Sequence, residues 1–115
     1  MAGTALGLGN REVIVKVGLD RHQNIEVVPA YFYVSKSGNE EVRWVCAQEH
    51  EHPKDGPCFN VDFEKNGSPF YESQFSSDAP VSGLVKRNVL AGPRIYEYTV
   101  RINDKTFDPG GGVRQ

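Results

Sequence analysis

A chain of 115 residues supplies one ordinary domain and too little for two. With 38% hydrophobic and 24% charged residues, it is neither a run of membrane helices nor compositionally disordered. A formal net charge of -2 argues against a dedicated nucleic-acid surface.

The first ten residues, Met1 to Asn10, have no basic start and no continuous apolar stretch, so they do not read as a signal peptide. They are expected to form a flexible tail ahead of a single domain over 11–115, and the chain reads as cytoplasmic, a removed leader aside. From there period two dominates and helical periodicity is nearly absent. Val13, Val15 and Val17 alternate with Ile14 and Lys16, which predicts a strand from Glu12 to Val17. Asp20 to Asn24 reads as a turn. Ile25 to Val34 is rich in β-branched and aromatic residues, but Pro29 places that strand at an edge or splits it in two. Ser37-Gly38-Asn39 turns the chain into a half-buried strand, with Val42, Trp44 and Cys46 on one face and Glu41 and Arg43 on the other.

Beyond a polar loop, Phe59, Val61 and Phe63 alternate cleanly with Asn60, Asp62 and Glu64. Asn66-Gly67 supplies a tight turn with positive φ. Ser68 to Ser82 has no sustained period; it is expected to cross between sheets, with a helical turn near Tyr71 to Phe75. Leu84 to Leu90 reads as a strand ended by Ala91-Gly92-Pro93. Tyr96, Tyr98, Val100 and Ile102 share a face opposite Glu97, Thr99 and Arg101. Asn103-Asp104 then turns the chain toward Thr106-Phe107. About seven strands separated by frequent turns predict an all-β Greek-key β-sandwich.

The order of elements resembles cupredoxin-like sandwiches, which share the immunoglobulin-like architecture. The match runs through Ile25-Glu26-Val27-Val28-Pro29, Val34, Ser37-Gly38, Val42-Arg43-Trp44, and Gly92 followed by Tyr96 to Val100. More closely, the chain resembles an uncharacterised bacterial family of cupredoxin-like domains that lack the blue-copper ligands. The residues that carry this likeness are Trp44, Phe59 to Phe63, Ser68-Pro69-Phe70, Tyr96 to Val100 and Asp108-Pro109. The resemblance implies a fold and no activity. It also implies a β-branched final strand after Asp108-Pro109, where this chain has Gly110-Gly111-Gly112-Val113; a short, frayed or altered last strand is therefore expected.

A blue-copper centre needs two His and one Cys, with a His shortly after the Cys on the penultimate strand side. The histidines here are His22, His50 and His52, all ahead of Cys58, and the only methionine is Met1. No copper and no other cofactor is expected. The segment Cys46 to Cys58 leaves three readings open. Cys46, His50, His52 and Cys58 form a tetrahedral zinc set in principle, though their spacing is not a recognised zinc pattern. Cys46 and Cys58, at the end of one strand and the start of the next, could instead close a disulfide or remain as two thiols.

Catalytic arrangements are not indicated. Glu49, Glu51 and Asp62 lack a second group fixed by sequence, and Ser68, Ser73, Ser76, Ser77 and Ser82 lack a nucleophile context. Trp44, Phe59, Phe63, Tyr96 and Tyr98 read as core. Tyr31-Phe32-Tyr33 differs, since three consecutive aromatics must turn at least one ring outward, here on a proline-marked edge strand. The expected function is a non-enzymatic binding or assembly module. It would meet a protein partner, or a second copy, through a sheet face or edge, with no nucleic-acid or membrane partner; zinc binding is the alternative.

Overall fold

The computed structural model describes residues 11–47 and 56–115. The expected tail, Met1 to Asn10, lies outside them. Among the described residues there are ten β-strands and no helix: β1 (Arg11–Leu19), β2 (Ile25–Val28), β3 (Tyr31–Ser35), β4 (Glu40–Cys46), β5 (Asn60–Asp62), β6 (Gln74–Ser76), β7 (Ile95–Glu97), β8 (Thr99–Ile102), β9 (Lys105–Phe107) and β10 (Gly110–Arg114). It follows that no helix among them is long and apolar enough to cross a membrane.

The strands form three sheets, ordered β2-β1-β4, β3-β10-β7 and β6-β5-β8-β9. Ten strands stand where sequence alternation suggests about seven, and two of the additional ones come from breaks in longer runs. Pro29, which has no N–H to give a ladder, divides one extended run into β2 and β3, joined through a cis Val28–Pro29 bond. Each half lies at the edge of its own sheet, β2 beside β1 and β3 beside β10.

The second break is Tyr98 opposite Asp108-Pro109. The register runs straight through it: Ile102 faces Lys105 and Val100 faces Phe107, then Glu97 faces Gly110 and Ile95 faces Gly112. Tyr98 N–H donates to the Pro109 carbonyl at 2.9 Å in the gap. One long hairpin about Asn103 (φ 56°) therefore joins the second and third sheets into a single layer.

The first sheet faces that layer. β1 and β4 run parallel in register from Arg11 opposite Glu40 to Val17 opposite Cys46. Their alternation turns Val15, Val17, Val42 and Trp44 inward, all fully buried. Trp44 stacks on Phe75 with ring centres 5.1 Å apart and meets Phe32, Phe63 and Tyr98 at 5.8–6.2 Å. Phe63 and Tyr98 stack at 4.7 Å. Offset and edge-on ring pairs of this kind add to their area burial. The face shared by Tyr96, Tyr98, Val100 and Ile102 is buried, as the alternation requires.

The layers are closed on one side by the Ser77 to Ser82 segment. After β6 the chain crosses to the first sheet, where Trp44 N–H donates to the Pro80 carbonyl and Ser82 N–H to the Val42 carbonyl. The helical turn expected at Tyr71 to Phe75 is absent, because Phe75 enters β6 opposite Val61. Leu84 to Leu90 likewise forms no strand. Only Val85 bridges, to Phe70; a turn at Lys86 to Val89 follows, and Leu90 is exposed. The last strand is altered in composition, as its glycines imply, but is not short or frayed. β10 lies between β3 and β7, and Gly110 to Val113 are all buried.

One buried polar group affects behaviour in alkali. The Tyr98 hydroxyl lies 3.3 Å from the Trp44 indole Nε1, which donates to it. Burial pushes its pKa well above the ordinary tyrosine value, outweighing the opposing effect of the Trp44 hydrogen bond. A raised folded-state pKa stabilises the fold below the unfolded value, and that contribution is lost as pH rises. Stability is therefore expected to fall once pH exceeds roughly 10, where an unfolded chain releases the proton. The tyrosinate absorbance of Tyr98 should appear together with loss of the near-ultraviolet dichroism; its appearance in a fully folded chain would refute this.

Candidate binding face

Alternation along β3 decides which rings face solvent. Phe32 and Val34 point into the core, and Tyr31 and Tyr33 point outward. The aromatic run proposed as a partner surface is thus divided. Phe32 is only 1% exposed and belongs to the core, whereas Tyr31 and Tyr33 are 56% and 52% exposed. Phe32 is corrected out of the surface because a strand cannot turn three successive side chains to one side.

The two outward tyrosines lean over glycine. A Cβ at Gly110 would lie 2.9 Å from Tyr31 Cε1 and 2.7 Å from Ile95 Cγ2, and one at Gly112 would lie 3.0 Å from the Tyr33 ring. Side chains from the flanking strands occupy the space that β10 leaves empty. Aromatic rings laid over strand glycines in this way shield the exposed backbone. Tyr31, Tyr33 and Ile95 form an apolar outer patch floored by Gly110 and Gly112.

The same strand carries a sheet edge. In a parallel ladder each residue turns its N–H and C=O to the same side. Gly110 N–H donates to the Ala30 carbonyl and Lys36 N–H to the Arg114 carbonyl, so the even-numbered residues face β10. Tyr31, Tyr33 and Ser35 then turn their main-chain groups to the opposite side, where no strand among the described residues pairs with β3. At the upper end Ser35 N–H is taken at 2.6 Å by Glu40 Oε1, and Glu40 is itself ion-paired with Arg114 at 3.4 Å. That carboxylate blunts one end of the edge. The main-chain groups of Tyr31 and Tyr33 remain presented beside their own rings.

The cysteine segment resolves differently. Cys46 and Cys58 are joined in a disulfide, with Cα atoms 6.2 Å apart, linking the end of β4 to the chain entering β5. Sulfurs bonded to each other supply no thiolate pair, so in this state the zinc set loses two of its four ligands. His50 and His52, with Glu49 and Glu51, lie outside the described residues. His22 sits apart, in the turn where Asp20 Oδ1 accepts from the His22 and Asn24 amides. Those bonds, the Asn24 one foremost, hold the Asp20 carboxyl below its ordinary pKa. Among the described residues no three His, Cys, Asp or Glu side chains come together as a metal site.

Four of the five serines considered as nucleophiles hold the main chain through their hydroxyls. Ser68 Oγ accepts from Phe70 N–H and donates to the Glu72 carbonyl; Ser76 Oγ accepts from Asp78 N–H and Ser77 Oγ from Cys58 N–H. Ser82 Oγ accepts from Val42 N–H and donates to the Gly83 carbonyl. On the outer side of the first sheet, Lys16, Arg21, Gln23, Glu26 and Val28 line an open groove of about 570 Å³. Its charges are of both signs.

Sequence reasoning missed the glycine floor and Ile95. The usable signal was Tyr-x-Tyr in a strand together with consecutive glycines elsewhere, since small residues in one strand admit large ones from its neighbours. The chain matches no protein-family model, no curated protein and no solved structure.

Proposed function

We propose that the chain is a non-catalytic binding module, a Greek-key sandwich of cupredoxin-like design that meets a protein partner through β3. The observation that carries this reading is the coincidence of two features on one strand. Tyr31 and Tyr33 present half-exposed rings over a glycine floor, and their main-chain groups lie on a sheet edge that no strand among the described residues pairs with. Main-chain pairing along such an edge gives affinity, and the side chains beside it give specificity. Exposed aromatic area beside that edge serves the same end.

The closed Cys46–Cys58 bond favours an oxidising compartment over the cytoplasmic placement suggested by Met1 to Asn10. In the native host, tagged protein is expected to recover a partner that the Tyr31→Ser/Tyr33→Ser variant does not. That variant should stay folded, with a stability loss of about 1 kcal/mol or less, because cross-strand surface pairs contribute no more than this. A strict monomer by light scattering with no partner in the pull-down, or a partner retained by the folded double variant, would overturn the proposal.

A further inference from the structure

We propose that Asn66 is a site of spontaneous modification, converting through a succinimide to aspartate and isoaspartate in the folded protein. Of the asparagines in the chain, only Asn66 is followed by glycine. Both residues are exposed, in the turn that leaves β5. Gly67 has a φ of +87°, and a Cβ there would meet nothing closer than Arg94 Nη2 at 3.4 Å. Glycine, with no Cβ of its own, gives the main chain the freedom to bring its nitrogen to Cγ of Asn66.

Two neighbours set the chemistry. Arg94 Nη2 donates to the Asn66 main-chain oxygen at 3.0 Å. That oxygen belongs to the peptide unit whose nitrogen must attack, and a guanidinium on it stabilises the deprotonated amide. Arg94 is held in place by the Tyr96 ring, 4.3 Å from its guanidinium carbon. On the other side, Asn66 Nδ2 donates to Glu97 Oε1 at 3.3 Å.

In the reaction the Gly67 nitrogen loses its proton and bonds to Cγ of Asn66, the Cγ–Nδ2 bond breaks, and ammonia leaves. Water then opens the five-membered ring at either carbonyl. The net change consumes one water and replaces the amide by a carboxyl, with no oxidation or reduction. The product sets a carboxylate against Glu97 where an amide donor stood, turning an attraction into a like-charge contact. Glu97 pairs with Gly110, so the modification changes the charge beside the β10 floor.

The test is incubation of the full chain at neutral and mildly alkaline pH. It is followed by peptide mapping and by isoaspartate-specific enzymatic methylation, with a short peptide spanning 62–70 as reference. Conversion is expected at Asn66 alone, faster at the higher pH, abolished in Asn66→Gln and slowed several-fold in Arg94→Ala. An unchanged Asn66 in the folded chain while the peptide converts would overturn the proposal. An Arg94→Ala rate equal to or above that of the parent would overturn the role given to the guanidinium.

Discussion

Gly111→Ala is expected to destabilise the domain severely, while Gly112→Ala, one residue along the same strand, is expected to change little. A Cβ on Gly111 would lie 2.1 Å from Phe32 Cζ and 2.2 Å from Cε2, distances no packed atoms tolerate. The Phe32 ring has nowhere to retreat. It is buried, with Phe70 and Trp44 ring centres at 6.2 Å and Tyr98 at 5.9 Å. Overpacking a core ordinarily costs about 1–3 kcal/mol, and a site without relief belongs at or above the upper end. At roughly 4 °C per kcal/mol, that lowers Tm by about 12 °C or more.

At Gly112 the nearest atoms, 3.0 Å away, belong to the half-exposed Tyr33 ring, which can swing toward solvent. Neither glycine has a φ in the left-handed region, so the backbone accepts alanine at both and the comparison isolates side-chain space. The gain from a less flexible unfolded chain, about 0.4–1 kcal/mol, applies equally to both. Thermal or urea unfolding of the pair measures the difference. Equal stabilities would mean that Phe32 does not cover Gly111.

Removing the Cys46–Cys58 bond is the second large effect expected. The two cysteines are 12 residues apart in sequence. Closing a loop of that size stabilises a domain by about 3 kcal/mol in the chain-entropy account. Cys46→Ala/Cys58→Ala should therefore unfold about 12 °C lower, and reductant should bring the parent protein to the same Tm. Reductant is expected to leave the double variant unchanged. Alkylation of protein taken directly from its host, before and after reduction, shows whether the bond is closed in the cell; thiols that react without reduction would contradict the oxidising compartment proposed above. An unchanged Tm in the double variant would show that the link contributes no stability.

The strands that sequence made legible are those with side chains of contrasting polarity. Val13 to Val17, Val42 to Cys46, Phe59 to Phe63 and Tyr96 to Ile102 each bury one face, and alternation alone reports that. Pro29 was equally readable, since a residue without an N–H cannot sit inside a ladder. β10 was not legible, because glycine carries no hydrophobic signal. What holds that strand is the set of rings that neighbouring strands lay over it, and those are remote in sequence. The Leu84 to Leu90 stretch misled in the opposite sense, as apolar residues without regular alternation were read as a strand and instead form a bridge and a turn.

The candidate site was half legible for the same reasons. Three consecutive aromatics required an outward ring, but alternation alone could not assign the faces until β3 was set beside β10. In the cysteine segment, residue types shared by zinc sites and disulfides left the choice to the distance between two strand ends. That distance is a property of the assembled layers.

The position of Trp44 has a practical consequence. It is the sole tryptophan of the chain, it sits on β4 of the first sheet, and its ring meets Phe32 and Tyr98 from the opposing layer and Phe75 from β6. Its emission and near-ultraviolet dichroism thus report closure of the two layers on each other, and not the hydrogen bonding of either one. The domain carries its own optical probe at the point where the layers meet, so the glycine and cysteine variants can be compared without any attached label.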